Sequence, residues 1–217
     1  MNKTKIEWCD YVWNPVIGCK RGCYYCYAKK INDRFHLIPD FSKPTLKMDK
    51  LKYPKMPRKP SRIFVNSMSD ICYWHDFWML DTIKICKEYP QHTFIFLTKD
   101  PRVYERFAFS SNCWLGVTWT GIEDTKTTCR LIGDMIIGFH RKANVRFVSY
   151  EPVLGDNVSF FSSIPSIDWL IIGGLTPRPV HAGVWVTEVL EYCKIMGISL
   201  FLKNNLHYPE KIQEFPK

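Results

Sequence analysis

The sequence has no run of eighteen or more apolar residues, and this absence excludes a helix long enough to span a membrane. The stretch from Met1 to Trp8 carries charge but has no apolar core, so no secretory signal is predicted there. No internal repeat and no linker interrupt the 217 residues, which suffice for one domain with a substantial core. We therefore expect a cytoplasmic protein with a single domain, residues 1–217.

The nine cysteines lack the pattern of a secreted disulfide scaffold, because their number is odd and they are spread along the chain. In a reducing compartment, clustered cysteines more often bind metal or do chemistry. Only one C-x2-C pair occurs, Cys23 and Cys26, whereas zinc sites usually join two such pairs. The sequence also contains no second cluster of cysteines.

Acidic residues are almost absent between Lys43 and Arg62, where eight basic residues face Asp49 alone. This window carries a charge of +7, out of a net charge of +9 for the whole chain. The prolines within residues 39–62 predict an irregular excursion. Such a segment either tracks the phosphates of a nucleic acid or forms a solvated, charged loop.

Apolar strands alternate with helix-like stretches, which is typical of a parallel α/β domain. Six or seven β/α units in this length predict a partial (β/α) TIM-type barrel. The predicted strands are residues 13–17, 62–66, 93–97, 113–120, 145–150, 168–172 and 199–202. The predicted helices are residues 27–35, 79–89, 102–107, 123–139 and 184–196.

Small, polar or charged residues gather just past the carboxyl ends of these strands. They include Ser67, Ser69, Asp70, Thr98, Lys99, Ser149, Glu151, Gly173, Gly174 and Lys203. Active sites of barrels and open parallel sheets lie at that edge. The first predicted strand leads into the segment 18–28, so this segment is expected at the same edge.

Segment 18–28 contains three cysteines, Cys19, Cys23 and Cys26, at a C-x3-C-x2-C spacing, with the aromatic Tyr25 before the third. Three thiolates on one short loop can hold three corners of a 4Fe–4S cluster, which normally takes four cysteines. One iron would then be open to another ligand. The alternatives are a zinc site completed by Cys9 or a histidine, or three unconnected thiols.

The cysteine spacing with Tyr25 resembles the signature of radical S-adenosylmethionine (radical SAM) enzymes. Further segments resemble the phage Gp37/Gp68-type (DUF5131-like) family within that superfamily. They are residues 5–8, 13–19, 26–28, 64–70, 91–94, 97–99, 114–117, 151–155, 168–174 and 201–203, so the resemblance covers nearly the whole chain in order. One departure is Leu175, where relatives commonly carry a glutamate.

This resemblance implies a radical SAM core and two cofactors, a 4Fe–4S cluster on Cys19, Cys23 and Cys26 and S-adenosylmethionine. It implies reductive cleavage to a 5′-deoxyadenosyl radical that abstracts hydrogen from a substrate, with an external flavodoxin- or ferredoxin-type electron donor. The residues expected to contact the cofactor are Tyr25, Ser67, Ser69, Asp70, Thr98, Lys99, Ser149, Glu151, Gly173 and Gly174. Glu151, Lys99 and Lys203 are the catalytic candidates.

A second hypothesis is a nucleic-acid-binding protein, or a nucleic-acid-modifying enzyme, that uses Lys43–Arg62 together with a structural metal knuckle. Several of the residues above also have plain structural interpretations. Ser67 to Asp70 suit a turn and a helix cap. The aromatic cluster Trp74–Trp78 suits core packing or a protein interface better than base stacking.

Overall fold

The computed structural model describes residues 1–123, 133, 144–155, 167–176 and 184–217. The chain forms two compact units. The first comprises Met1–Thr98 and Phe107–Trp114, and the second comprises Lys99–Arg106 and Leu115–Lys217. The helix predicted at residues 123–139 lies outside the described residues apart from Glu123 and Gly133.

The first unit is built on short strands of a mostly parallel sheet. Its strands are β1 (Asn2–Lys3), β2 (Tyr11–Val12), β3 (Val16–Ile17), β4 (Thr45–Leu46), β5 (Arg62–Phe64) and β6 (Thr93–Thr98), and its helices are α1 (Tyr27–Phe35), α2 (Met48–Lys52) and α3 (Asp76–Glu88). Strand β1 pairs antiparallel with β2, whereas β2, β5 and β6 run parallel. The parallel strands are apolar and mostly buried, as a sheet covered on both faces requires.

Two expectations for this unit are wrong. Of the predicted strand 13–17, only Val16 and Ile17 form a strand, and they pair with β4 in a separate two-stranded sheet. The excursion 39–62 is not wholly irregular, because it supplies β4 and α2. Leu51 of α2 is buried and the Trp13 indole N–H donates to the carbonyl of Lys50, so tertiary contacts order this lysine-rich segment.

The second unit contains the longer parallel strands. Its elements are β8 (Arg146–Val153), β9 (Trp169–Gly174), β10 (Ser199–Leu202) and α4 (Val184–Met196), and β7 (Cys113–Trp119) begins in the first unit and ends in this one. Residues in register include Val148 with Leu170 and Leu170 with Leu200. In sheet order the eight strands are β1-β2-β5-β6-β7-β8-β9-β10, so the predicted parallel α/β class is confirmed, with the antiparallel β1 added at one edge.

Element boundaries differ from the sequence prediction chiefly at strand ends. Strand β8 continues through Glu151 and a cis Glu151–Pro152 peptide, and β9 includes Gly173 and Gly174 rather than stopping before them. The predicted helix at 102–107 is a 3-10 helix, Pro101–Arg106. The helix 184–196 and the strand 199–202 have the predicted bounds. Across the described ranges, no helix has both the length and the apolar character needed to cross a membrane.

Candidate active site

The cysteine loop begins where the chain passes the carboxyl end of β5. Gly18 forms a parallel bridge with Ser69, and its N–H donates to the carbonyl of Met68 at 3.0 Å. Gly18 has φ +108°, and a Cβ there would lie 2.9 Å from the carbonyl oxygen of Phe41, so only glycine suits this position. The loop therefore lies at the edge expected from the sequence, although β3, which leads into it, belongs to the smaller sheet.

The three thiols of this loop are free and half-buried. Burial above all, together with the nearby Asp70, Cys26 and Cys23, raises the pKa of Cys19 to about 11, while a hydrogen bond from the backbone N–H of Arg21 acts in the opposite direction. Cys19 and Cys26 also pack against an apolar cluster that includes Ile38 and Phe41. The loop thus carries three sulfur donors that are partly shielded from solvent.

Cys26 has a second role as the N-cap of α1. Its extended backbone places Sγ 3.4 Å from the N–H of Lys29, which donates to the sulfur. Serine, threonine, asparagine or aspartate usually fills this position, and a helix N-terminus favours a negatively charged group. Cys26 Sγ therefore lies where a backbone N–H can donate to it, and such a hydrogen bond favours the thiolate form that binds metal.

Three cysteine thiols are the donor type that a 4Fe–4S cluster takes, and three of them would leave one iron open. Among the residues that the structure describes, no group of three or more His, Cys, Asp or Glu side chains could hold one metal ion. A zinc ion needs its sulfur ligands at about 2.3 Å from one centre. A 4Fe–4S cluster instead takes each thiolate at a different iron.

The turn after β5 is held rigidly by two asparagines. The side chain of Asn14 donates to Ser67 Oγ at 2.9 Å and accepts from the Met68 N–H at 3.1 Å. Asn66 donates to the carbonyl of Leu97 at 2.6 Å and accepts from the Leu97 N–H at 3.1 Å. Because the amides pin the backbone, Ser67 and the residues after it have fixed positions beside the cysteine loop.

Asp70 is the charged centre of this turn. Its carboxylate accepts from the Thr98 hydroxyl at 2.5 Å and from the Cys72 N–H at 3.2 Å, and the latter bond caps the 3-10 helix Ile71–Tyr73. The other carboxylate oxygen lies 3.9 Å from Nε of Arg21. The structural interpretation of Asp70 as a cap therefore holds, and the same carboxylate is close enough to Cys19 to raise the pKa of that thiol.

Ser69 and Tyr25 are the remaining predicted residues of the first unit. Ser69 Oγ accepts from the indole N–H of Trp74 at 3.0 Å, so the buried Trp74 supports the turn. Tyr25 is half-buried and packs edge-on against Tyr24 at 5.0 Å between ring centroids. The aromatic cluster is divided, because Trp74 is buried whereas Phe77 is 80% exposed.

The second unit has its own polar cluster at the ends of β8 and β10. Lys203 Nζ donates to Glu151 Oε1 at 2.5 Å, and Ser149 Oγ donates to Glu151 Oε2 at 3.0 Å. The Glu151 and Lys203 side chains are 17% and 19% exposed, so the ion pair is mostly desolvated but still reachable. Gly173 makes room for the pair, since a Cβ there would lie 2.6 Å from Glu151 Oε1. The structure thus brings together four residues that the sequence placed separately.

Gly174 and Lys99 complete the predicted residues of this unit. The backbone N–H of Gly174 donates to Asn205 Oδ1 at 3.1 Å, and Asn205 Nδ2 donates to the Gly174 carbonyl at 2.7 Å. The backbone of Gly174 is therefore engaged by an amide side chain. Lys99 follows β6 and is half-buried.

Comparison with known families decides the family of this chain. A family model described as "Protein of unknown function (DUF5131)" matches residues 3–214. The chain belongs to the DUF5131 family. A search of curated proteins finds none that matches it. The narrower relationship to phage Gp37/Gp68-type proteins stays a prediction.

Solved structures show the fold of this DUF5131 protein. Spore photoproduct lyase, a radical SAM enzyme, matches as a cysteine variant with dinucleoside spore photoproduct, with a TM-score of 0.55 and 11% identity over 80% of this chain and 58% of the lyase chain. A tyrosine variant of the lyase matches with a TM-score of 0.53 and 11% identity over 88% of this chain and 62% of the lyase chain. The DUF5131 chain thus spans about three fifths of the lyase's length and has a radical SAM-like fold, which confirms the predicted fold class.

Sequence reasoning missed three residues around the DUF5131 cysteine loop. Arg21 faces Asp70, Asn14 holds the following turn, and the Tyr27 hydroxyl donates to the Ser67 carbonyl at 2.5 Å. Arg21 lies between Cys19 and Cys23, and Tyr27 follows Cys26 directly. Their position within or next to the cysteine loop is the sequence signal that could have identified them. Nothing in the sequence linked Asn14 to Ser67, 53 positions away.

Proposed function

We propose that this protein is a radical SAM enzyme that holds a 4Fe–4S cluster on Cys19, Cys23 and Cys26. The observation that carries the proposal is the contact of the loop that bears the three free thiols, through Gly18, with the turn Ser67–Asp70, in a chain with a radical SAM-like fold. Cys19, Cys23 and Cys26 would hold this cluster, which would supply the electron for reductive cleavage of S-adenosylmethionine and so the chemistry of hydrogen abstraction. The protein's own groups must bind, orient and shield these partners.

The turn Ser67–Asp70 suits the amino group of the S-adenosylmethionine methionyl moiety. A carboxylate and serine hydroxyls accept hydrogen bonds from an ammonium group. Asp70 is 7% exposed and is oriented by Thr98, so it would offer a fixed negative charge. Arg21, which faces the same carboxylate, is placed to pair with the cofactor's own carboxylate.

Glu151 and Lys203 are proposed to form hydrogen bonds with the hydroxyl groups of the cofactor ribose or of the substrate. A half-buried carboxylate that is oriented by Ser149 and neutralised by Lys203 can accept hydrogen bonds without large reorganisation. Ser149, Gly173 and Gly174 then act by positioning this pair and the neighbouring backbone, and Lys99 remains a candidate for a carboxylate partner.

Asp70→Asn tests the cofactor site. We expect the affinity for S-adenosylmethionine, measured by calorimetry on anaerobically reconstituted protein, to fall roughly 10- to 100-fold, because hydrogen bonds to charged groups contribute about 1.5–3 kcal/mol. Asp81→Asn, an exposed change on α3, is the matched control and should bind normally. Unchanged affinity in Asp70→Asn protein with normal circular dichroism would exclude this role.

The external electron donor is proposed to dock on α1. Tyr27, Ile31 and Phe35 are exposed at i, i+4 and i+8, so they form one stripe beside Lys30 and Arg34 on the helix that begins at Cys26. Residues 18–37 contain five basic residues and one acidic residue. An acidic, flavin-containing carrier of the flavodoxin type is complementary to this charge.

Lys30→Glu with Arg34→Glu tests the donor surface. We expect an acidic flavodoxin to reduce the reconstituted variant at least tenfold more slowly than wild type at low salt, because electrostatic steering is reversed. The loss of visible absorbance measures the rate of reduction. Reduction by dithionite should be unaffected, since a small reductant needs no docking surface. Equal rates with flavodoxin for wild type and variant would refute this assignment.

A second candidate is that the enzyme acts on nucleic acid. The spore photoproduct lyase structure with a dinucleoside photoproduct and the basic segment Lys43–Arg62 both favour it. Detection of a modified nucleotide after incubation of reconstituted protein with S-adenosylmethionine, dithionite and damaged or undamaged DNA would support this reaction. Formation of 5′-deoxyadenosine at the same rate with and without DNA would argue against it.

A further inference from the structure

The first unit gathers basic side chains from two distant parts of the sequence around one cavity. The cavity has a volume of about 920 Å³ and is lined by residues 3–7, 9–11 and 59–62 together with Gln91 and Thr93. Its basic residues are Lys3, Lys5, Lys59 and Arg62. In the sequence, the basic run extends only from Lys43 to Arg62. In the folded chain, Lys3 and Lys5 of the N-terminal segment line the same cavity as Lys59 and Arg62.

Lys50 and Lys55 extend this basic surface beyond the cavity. Burial lowers the pKa of the Met1 amino group, and the positive charges of Lys50 and Lys55 lower it further. Both lysines therefore lie near β1, which begins at Asn2. We name Lys3, Lys5, Lys50, Lys55 and Lys59 the basic surface, and all five are exposed.

The charges of the basic surface are not compensated within the part of the chain that the structure describes. None of its five lysines forms an ion pair with a carboxylate there, whereas Arg62 is engaged by Asp10 at 3.2 Å. Glu7 and Asp10 are the acidic residues that line the cavity. Bringing like charges together costs free energy unless an anionic partner offsets it, so the arrangement indicates a partner with several negative charges.

The basic surface lies at the opposite end of the strands from the cysteine loop. Tyr11, Arg62 and Thr93, which line the cavity, are the first residues of β2, β5 and β6. Ser67, beside the cysteine loop, is five residues after Arg62, which is roughly 17 Å of extended chain. A small anionic substrate at the cavity would be far from the thiols, whereas a long polyanion need only be held there.

We propose that the basic surface binds the phosphate backbone of a nucleic acid. Spaced ammonium groups on flexible stems neutralise phosphates without reading bases, and the release of counterions supplies the free energy. In this proposal the cavity accommodates a stretch of the phosphate backbone rather than one small ligand. This binding does not require the cluster, so it can be tested apart from the proposed enzyme activity.

The experiment measures binding of a fluorescein-labelled 20-base-pair DNA duplex by anisotropy, in 50 to 200 mM KCl. Five neutralised phosphates predict a slope of log K against log salt of about −4.5, which is a loss of several hundredfold over this range. Lys50→Gln with Lys55→Gln and Lys59→Gln should reduce the slope to about −1.8 and weaken binding at 50 mM KCl at least tenfold. Cys23→Ala protein should bind like wild type.

The matched control is Lys84→Gln with Lys87→Gln and Lys194→Gln, which removes the same charge from exposed positions on α3 and α4. This control should keep the wild-type slope. The proposal is overturned by three results: no salt-dependent binding at 50 mM KCl, equal losses in both triple variants, or complete competition by polyglutamate at equal charge, which would indicate an acidic protein as the partner. Loss of binding in Cys23→Ala alone would overturn its independence from the cluster.

Discussion

Cys23→Ala is expected to lower the iron content of anaerobically reconstituted protein from about four per chain to near zero. The three thiols of the loop are the local sulfur donors, and a cubane that keeps only two of them has lost a corner as well as its open-iron geometry. The same variant should form no 5′-deoxyadenosine with dithionite and S-adenosylmethionine. Iron and sulfide analysis with visible spectroscopy checks the first result, and chromatography checks the second.

Cys193→Ala is the matched control for that experiment. It also removes one thiol, but from the buried face of α4, where burial raises the pKa of Cys193 to about 12 and keeps the thiol protonated. Its iron content should equal that of wild type. The cluster assignment fails if Cys23→Ala keeps its iron, or if wild-type protein reconstituted without oxygen stays colourless and retains zinc instead.

Lys203→Ala is expected to cost about 2–3 kcal/mol of stability. Removing one partner of a buried ion pair costs about 3–5 kcal/mol because a desolvated charge is left alone. The exposure of nearly a fifth of each side chain lowers that figure through solvent screening. For a chain of this size the change corresponds to a decrease in Tm of roughly 5–10 °C, measured by circular dichroism.

Two further variants separate lost charge balance from lost packing at the same place. Lys203→Met with Glu151→Gln removes both charges and should recover most of the Tm, since no unpaired charge remains. Lys194→Ala, on the exposed face of α4, should leave the Tm unchanged. A Tm for Lys203→Ala equal to that of Lys194→Ala would show that the ion pair contributes nothing to folding.

The features predicted correctly are those that short stretches of sequence encode. The apolar runs of β6, β9 and β10 have the composition of strands buried on both faces, and their existence is confirmed. The errors occur where distant contacts overrule local preference. Val16 and Ile17 pair with β4, and α2 forms within a proline- and lysine-rich segment because Leu51 is buried and Lys50 accepts a hydrogen bond from Trp13.

The cofactor residues show the same division. Cysteine spacing is a local property, so the sequence alone identified Cys19, Cys23 and Cys26 as a group. The cap formed by Asp70 was also foreseen as an alternative. Whether these residues bind a cluster and S-adenosylmethionine remains a proposal that the variants above test.

By itself the sequence determined the mostly parallel α/β class, the cysteine loop and the excess of positive charge. Only the tertiary structure decided which residues come together: Arg21 with Asp70, Tyr27 with the backbone of Ser67, Glu151 with Lys203, and Lys3 and Lys5 with Lys59 around one cavity. The physical reason is the separation along the chain, 40 residues or more in each of these pairings. Local propensity carries no information about such pairs, because their contacts exist only after the strands have packed in order.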